Sequence, residues 1–489
     1  MAYSSTRDFI AKLDAAGELR RITEPVRTEL EITALADREM KSPGGGKALL
    51  IEKPVLPNRM ASRFPVLINA YGSEKRMALA LSSPSVDEVA GKIAYLLKAK
   101  PPRSLSEGWE LFRAGLDVLL HAKPTRVKSG PCKDVILRAE DGGIGLDALP
   151  VLTCWPEDGG PFVTLPNVHT RDPDSGERNI GMYRMQVFSP WTTGMHWQVH
   201  KVGARHGKRY YETGTRMPVA VCLGADPALT FAATAPMPDG FDELLLAGFL
   251  RGKSIDLVKC ETSDLEVPAD SDFVIEGYVD PAEPLRPEGP FGDHTGFYTP
   301  VDNYPAFHVT CITHRKDAVY PATIVGKPPM EDFYLGTASV RVFLPVFKMN
   351  FPEIVDMALP AEGVFHNLVF VSIKKQYPYQ AYKIMHALWG MGQMMFAKII
   401  VVVDEDVNVH DTSDVLFHLC ANIDPQRDSL FTKGPCDALD HAPTVANIGS
   451  HVGFDATRKL PGEGYTRGWP EECRLPAGLL AEIERKFPR

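Results

Sequence analysis

The sequence predicts an α/β (α+β) chain of three segments, and three observations carry that expectation. Its 489 residues exceed what one hydrophobic core accommodates, so two or three domains are expected. Strand-like runs separated by Gly and Pro crowd the middle of the chain, as in an antiparallel barrel or sandwich. On either side, apolar strands alternate with amphipathic helices, as in α/β layers. The expected units are a small α/β segment over residues 1–110, a β-rich unit over 111–318, and an α/β unit with a tail over 319–489.

The N-terminal unit begins with a helix over 5–17, where Phe9, Ile10 and Leu13 fall at helical spacing and Ser5 is placed to cap. A short strand, Leu19 to Ile22, follows. Leu49–Ile51 and Val66–Ile68 read as buried strands bounded by turn residues. Ser85 to Leu97 reads as an amphipathic helix, and the Pro-rich stretch Lys98 to Arg103 as a joint. In the middle unit the strand-like runs are Phe162–Thr164, Gly181–Phe188, Gly194–Val199, Pro218–Leu223, Phe273–Val279 and Phe307–Thr313. One helix, Asp239 to Leu250, interrupts them. In the last unit Val340–Phe347, Ala381–Met391 and Asp411–Ala421 read as helices. Leu368–Ile373 and Ile399–Val403 are continuous apolar runs, which predicts a largely parallel sheet. A Pro/Gly-rich arm from Pro461 leads to a short helix, Leu479 to Lys486, suited to docking on a neighbouring subunit.

Composition narrows the function. A net charge of −9 without a basic stripe argues against nucleic acid as partner. Eight cysteines with no CxxC pair read as reduced thiols of a cytoplasmic protein. The N-terminus lacks the apolar core of a signal peptide, and Ile399–Val403 is far too short to span a bilayer.

Two stretches carry chemistry. Pro287-Glu-Gly-Pro-Phe-Gly-Asp-His-Thr-Gly-Phe-Tyr298 sets Glu288 and Asp293 around Gly-Pro and Gly, which excludes helix and makes a shaped loop. Such a loop can turn both acids into one cavity and split their proton affinities; the alternative is a surface loop with two solvated acids. Asn179-Ile-Gly-Met-Tyr-Arg-Met-Gln186 is strand-like and puts Arg184 on one face with Met182 and Gln186. An Arg among apolar residues needs a partner, and its planar fork suits a carboxylate of the protein or of a substrate.

Together these stretches resemble the UbiD family of decarboxylases, which use prenylated FMN and carry a Glu-Arg-Glu/Asp triad. The resemblance continues through Pro218–Pro227, Leu265–Pro268, Gly326–Pro329, Phe351–Asp356 and Ile373–Gln376, and so covers nearly the whole chain. It implies a split β-barrel of the flavin-reductase type in the middle unit, holding the flavin. It implies that Arg184 orients a substrate carboxylate, that Glu288 pairs with Arg184, and that Asp293 donates a proton. Asn179, His200 and Glu243 match the family's ligands to Mn2+ (or Mg2+), and that donor set suits such ions better than zinc. K+ accompanies the divalent ion in the family. Ile180, Met182, Tyr183, Arg184, Gln186 and Met237 match cofactor-binding positions, and Lys398 matches one that reaches the flavin phosphate; alone it reads as a solvated lysine at a strand start. His196 and His206 match no family position.

The resemblance further implies a homo-oligomer (dimer or hexamer), a flavin prenyltransferase as cofactor supplier, and an aromatic or unsaturated carboxylic acid as substrate. That acid ranges from 3-polyprenyl-4-hydroxybenzoate of ubiquinone biosynthesis, through a menaquinone-pathway acid, to a small (hetero)aromatic or cinnamate-like acid. Two other classes compete: a metal-dependent hydrolase built on His200, Glu243 and the loop acids, and a non-catalytic flavin-binding subunit. The first has no use for the Arg184 strand, the second none for paired acids.

Overall fold

A computed structural model describes residues 2–97, 122–143, 145–197, 202–237, 240–473 and 475–488. The expected joint at Lys98–Arg103 and the metal-ligand candidate His200 lie outside the described residues.

The first unit forms as its pattern dictates. Ser5 caps the helix Thr6–Ala15 by accepting from the Asp8 N–H, and Phe9, Ile10 and Leu13 are buried. The first strand runs to Arg27, beyond the expected Ile22, because it pairs in parallel with Ala48–Val55 through a register shift between Ile22 and Pro25. A further helix, Glu31–Met40, buries Ile32, Ala36 and Met40 at a four-residue spacing. The sheet order is 19–27, 48–55, 66–68 and then 320–321, so the chain returns here after the whole middle unit is built.

The middle unit is a nine-stranded sheet, antiparallel at every pairing. Its path runs 162–163, 185–189, 192–194, 306–314, 273–279, 217–223, 167–171 and 178–181, with 135–138 added beside 306–314. Arg178–Gly181 ends the path, and Met185–Ser189 lies at the other side of it, yet Met182, Tyr183 and Arg184 alone join them. Three residues reach no further than about 14 Å. The sheet must therefore curl until its two sides meet, which yields a half-barrel with residues 182–184 at the seam. This corrects the continuous strand Gly181–Phe188: period-2 alternation persists across the seam, but the backbone leaves the ladder there. Arg184 thus shares no strand face with Met182 and Gln186. The expected strand Gly194–Val199 also shifts. It is Thr192–Gly194, paired with Ala306–His308, and residues 195–197 leave the sheet. The helix expected from Asp239 is Glu243–Arg251, because Asp242 is the residue whose side chain caps it, accepting from the Leu244 N–H.

The last unit opens with a long helix, Glu331–Asn350, and a five-stranded sheet ordered 354–358, 368–373, 399–404, 448–455, 429–435. Its two central pairings are parallel and its two outer pairings antiparallel, which corrects the largely parallel sheet. The outer neighbours follow one another in the chain with no α-helix between them, whereas a parallel pair is usually joined by a helical crossover. The helix Ala477–Lys486 exposes Leu479, Leu480, Ile483 and then Phe487. No helix of the described residues is long and apolar enough to cross a membrane.

Candidate active site at the seam of the half-barrel

Arg184 stands where the sheet closes, and the acid loop crosses it. The loop is a strand Arg286–Glu288, then Gly289 at φ +101 and Pro290, then Phe291–Gly292 and Asp293. A positive φ at that turn favours glycine. Arg184 donates from Nε to Glu288 Oε1 at 3.0 Å, from Nη1 to Asp293 Oδ2, and from Nη2 to Thr299 Oγ1 at 3.1 Å. Its guanidinium lies 4.6 Å from the centre of the Phe291 ring. The Arg184 side chain is 10% exposed and that of Glu288 fully buried, so this is a desolvated ion pair rather than a surface one. Glu288 Oε2 is buried without a hydrogen-bond partner.

Gln186 pins the loop. Its amide donates to the Gly159 carbonyl and accepts from the Gly289 N–H, both at 2.7 Å. Asp158 accepts from the Gly292 N–H at 2.8 Å and fixes the other side. His196, which sequence reasoning passed over, places Nδ1 3.0 Å from Glu288 Oε1 and packs beside Tyr304. Nothing local in the sequence marks it, because its bond to Glu288 joins positions 92 apart.

Burial works to raise the Asp293 carboxyl, but the hydrogen bond from His294 and the charge of Arg184 outweigh it and hold the group well below the usual carboxylate range. His294 is shifted the other way: burial opposes its charge, and the bond and charge of Asp293 raise its pKa regardless.

A second part of the site starts five residues earlier in the chain. Ile180 N–H donates to Glu243 Oε2 at 3.0 Å, which brings Glu243 beside Asn179. Glu243 is pushed up to about 7 by burial, and by the nearby carboxylates Asp242 and Glu177 against two backbone bonds. A buried acid set among other acids fits a divalent cation, whose charge would restore its ionised form. Among the described residues no three His, Cys, Asp or Glu side chains gather to hold a metal, so Asn179 and Glu243 are the described members of the expected set. Ile180 lies in an apolar cluster against which Met182 and Met237 pack. Tyr183 is buried, and its hydroxyl accepts from the Gly203 N–H at 3.3 Å. A Cβ on Gly181 would stand 2.3 Å from that oxygen, so Tyr183 needs glycine there. Lys398 does not join Arg184 directly; it pairs with Asp440 at 2.7 Å. His206 bonds Thr170 at 3.0 Å and stays outside both parts.

The chain matches family models over three stretches: the 3-octaprenyl-4-hydroxybenzoate carboxy-lyase N-terminal domain over residues 10–93, the Rift-related domain over 123–328, and the C-terminal domain over 333–456. An uncharacterized protein of Archaeoglobus fulgidus is 46% identical over 488 residues, covering 99% of this chain and 98% of that one. An uncharacterized protein of Aquifex aeolicus is 47% identical over 487 residues, covering 100% and 98%. Among solved structures, the UbiD-class enzyme HmfF from Pelotomaculum thermopropionicum, in complex with FMN, superposes with a TM-score of 0.80 at 27% identity, covering 99% of this chain and 100% of that one. The vanillic acid decarboxylase of Sedimentibacter hydroxybenzoicus, in closed form, gives 0.85 at 25% identity, covering 99% of each. With an Arg bridging two buried acids at the seam, and matches to all three family domains, the chain belongs to the UbiD family of carboxy-lyases.

Proposed function

We propose that this chain catalyses non-oxidative, reversible decarboxylation of an aromatic, heteroaromatic or α,β-unsaturated carboxylic acid with prenylated FMN. The observation that carries the reading is Arg184, held between Glu288 and Asp293 with all three side chains largely shielded from solvent. Such an Arg is oriented before substrate arrives, so little reorganisation is left for the reaction.

Prenylated FMN would supply the electron sink that a carbanion at an sp2 carbon needs. Ile180, Met182, Tyr183, Arg184, Gln186 and Met237 would hold it. Asn179, His200 and Glu243 would hold Mn2+ or Mg2+, with K+ as a further cation, and Lys398 would supply positive charge for the cofactor's phosphate. The chain's own residues do the rest. Arg184 binds the substrate carboxylate and fixes the bond that breaks. Glu288 and His196 keep Arg184 in place. Asp293 passes a proton to the carbon that has lost CO2. The walls exclude water, which strengthens each of these interactions.

For substrate we propose the range from 3-polyprenyl-4-hydroxybenzoate of ubiquinone biosynthesis, through menaquinone-pathway acids, to small (hetero)aromatic acids. A flavin prenyltransferase supplies the cofactor, and the exposed apolar face of the C-terminal helix supports a homo-oligomer, dimer or hexamer. Eight unpaired cysteines, six of them buried, support the cytoplasm as its compartment.

The test is co-expression with a flavin prenyltransferase, anaerobic purification, and measurement of the absorption spectrum and the released cofactor's mass. A panel of aromatic acids is then scored for CO2 release. A modified flavin with a retained divalent ion, and CO2 from one class of acid, is the expected result. Colourless protein that keeps metal but no flavin would overturn the reading in favour of a hydrolase.

A further inference from the structure

Asp293 has a difficulty as a proton donor, and the residues around it resolve that difficulty. The carboxylate takes three hydrogen bonds: Arg184 Nη1 at Oδ2, the His294 backbone N–H at Oδ1 at 2.8 Å, and His294 Nδ1 at Oδ1 at 2.9 Å. A carboxylate so bonded is ionised and carries no proton of its own. The proton must come from a partner. A guanidinium does not release one near neutral pH, nor does a peptide N–H. An imidazole does.

On its far side His294 Nε2 stands 2.9 Å from Nε2 of His366, so one of the two nitrogens donates. His366 is a poor site for charge. Burial, and the positive charges of His294 and Lys398, push its pKa down to about 4, although Asp437 and Asp440 pull the other way. A neutral imidazole can donate or accept at Nε2; because the bond to Asp293 and its charge favour the charged form of His294, His366 accepts at Nε2 and His294 carries protons on both nitrogens. The groups facing His294 from other elements are Asp332 on the helix Glu331–Asn350 and Asp437 after the strand Ser429–Pro435. Asp332 is itself pushed up to about 7 by burial, and its Oδ2 is buried without a hydrogen-bond partner. Phe365 packs against the His294 ring from the same segment as His366.

We propose that His294 stores the proton that Asp293 delivers, and that His366 holds His294 in the doubly protonated state. The proposal rests on the decarboxylase reading with Asp293 as acid. One proton moves from His294 Nδ1 to Asp293 Oδ1, leaving imidazole and carboxylic acid. The Asp293 O–H bond then breaks as the C–H bond forms at the carbon that lost CO2, and Asp293 returns to carboxylate. One solvent proton restores the imidazolium, so each turnover consumes one carboxylate and one proton and yields CO2 and the protonated product. His294 and His366 act through Asp293 and are positioning residues, not catalytic ones.

Two measurements decide it. In the full-length chain without cofactor, labelled with 15N in the histidine rings, both His294 nitrogens should show imidazolium shifts at pH 7.5. They should move to neutral shifts in Asp293→Asn and in His366→Phe. A neutral His294 in the wild-type chain overturns the proposal. In the enzyme loaded with prenylated FMN, His294→Gln should keep wild-type flavin content and exchange product hydrogen for solvent deuterium roughly 10²-fold more slowly. His294→Ala should regain rate with added imidazoles, in proportion to their basicity. Exchange within threefold of wild type in His294→Gln overturns the proposal. Failure of the decarboxylase reading looks different: flavin-loaded wild type releases no CO2 from any acid, while the ring-nitrogen result still decides the state of His294.

Discussion

Replacing Arg184 by Met tests whether the seam is as dry as its geometry indicates. The substitution keeps a long apolar side chain against Phe291 and removes the charge that neutralises Glu288. Glu288 is fully buried and retains only the His196 contact at 3.0 Å. At an effective dielectric of 20, opposite charges 4 Å apart attract by about 4 kcal/mol. Removing one partner of a buried pair costs about 3–5 kcal/mol, because the other is left uncompensated. His196 offsets part of this, so about 3 kcal/mol is expected at pH 7.5. The assay is urea unfolding followed by the fluorescence of Trp155, Trp191 and Trp197, which pack in the core that surrounds the site. Adding Glu288→Gln should recover part of the loss, since no charge is then stranded at that position. A deficit below 1 kcal/mol would refute the argument and mean that water reaches the pair.

Asp293→Asn should keep its flavin and lose turnover by about 10²–10⁴-fold in the CO2-release assay. Glu243→Gln and Asn179→Ala, or chelation of wild type, should lower flavin retained through gel filtration; unchanged retention would remove both residues from the cation site. Asp272 is buried, accepts from Thr6 and from the Val319 N–H, and is pushed up to about 7 by burial. Its folded pKa exceeds its unfolded one, so the stability it contributes is present below pH 4 and lost as pH rises to 7, a change of a few kcal/mol. Asp272→Asn should flatten that slope in urea titrations. A Cβ on Gly292 would meet Trp155 at 2.2 Å, so Gly292→Ala should displace the acid loop and cut turnover about 10²-fold without loss of flavin.

The grouping of the three charged side chains was more legible than the architecture. Glu288, Asp293 and Arg184 stand in two short motifs, and the structure joins them as ion pairs. The seam at 182–184 could not be read, because alternation continues through it and only the pairing of distant strands forces the break. His196 was passed over because its bond to Glu288 spans 92 positions, and His366 because its contact with His294 spans 72. Neither separation leaves a local trace. The last sheet was read as more parallel than it is, since apolar runs report burial on two faces and not strand direction. The helix Glu31–Met40, by contrast, carried a readable spacing of Ile32, Ala36 and Met40.

The strand Tyr320–Pro321, last in the N-terminal sheet, sets a timetable for synthesis. Val66–Ile68 emerges from the ribosome with one edge paired to Ala48–Val55 and the other open. That edge waits for a partner about 250 residues downstream, which at roughly 5–20 residues per second takes about 13–50 s. Throughout that interval the nascent chain exposes an apolar strand edge, the kind that templates pairing with other chains. Truncation before residue 320 should yield aggregates rather than a soluble fragment. The delay between the two halves of this sheet predicts that a chaperone able to shield the open edge for that long raises recombinant yield, which co-expression would measure.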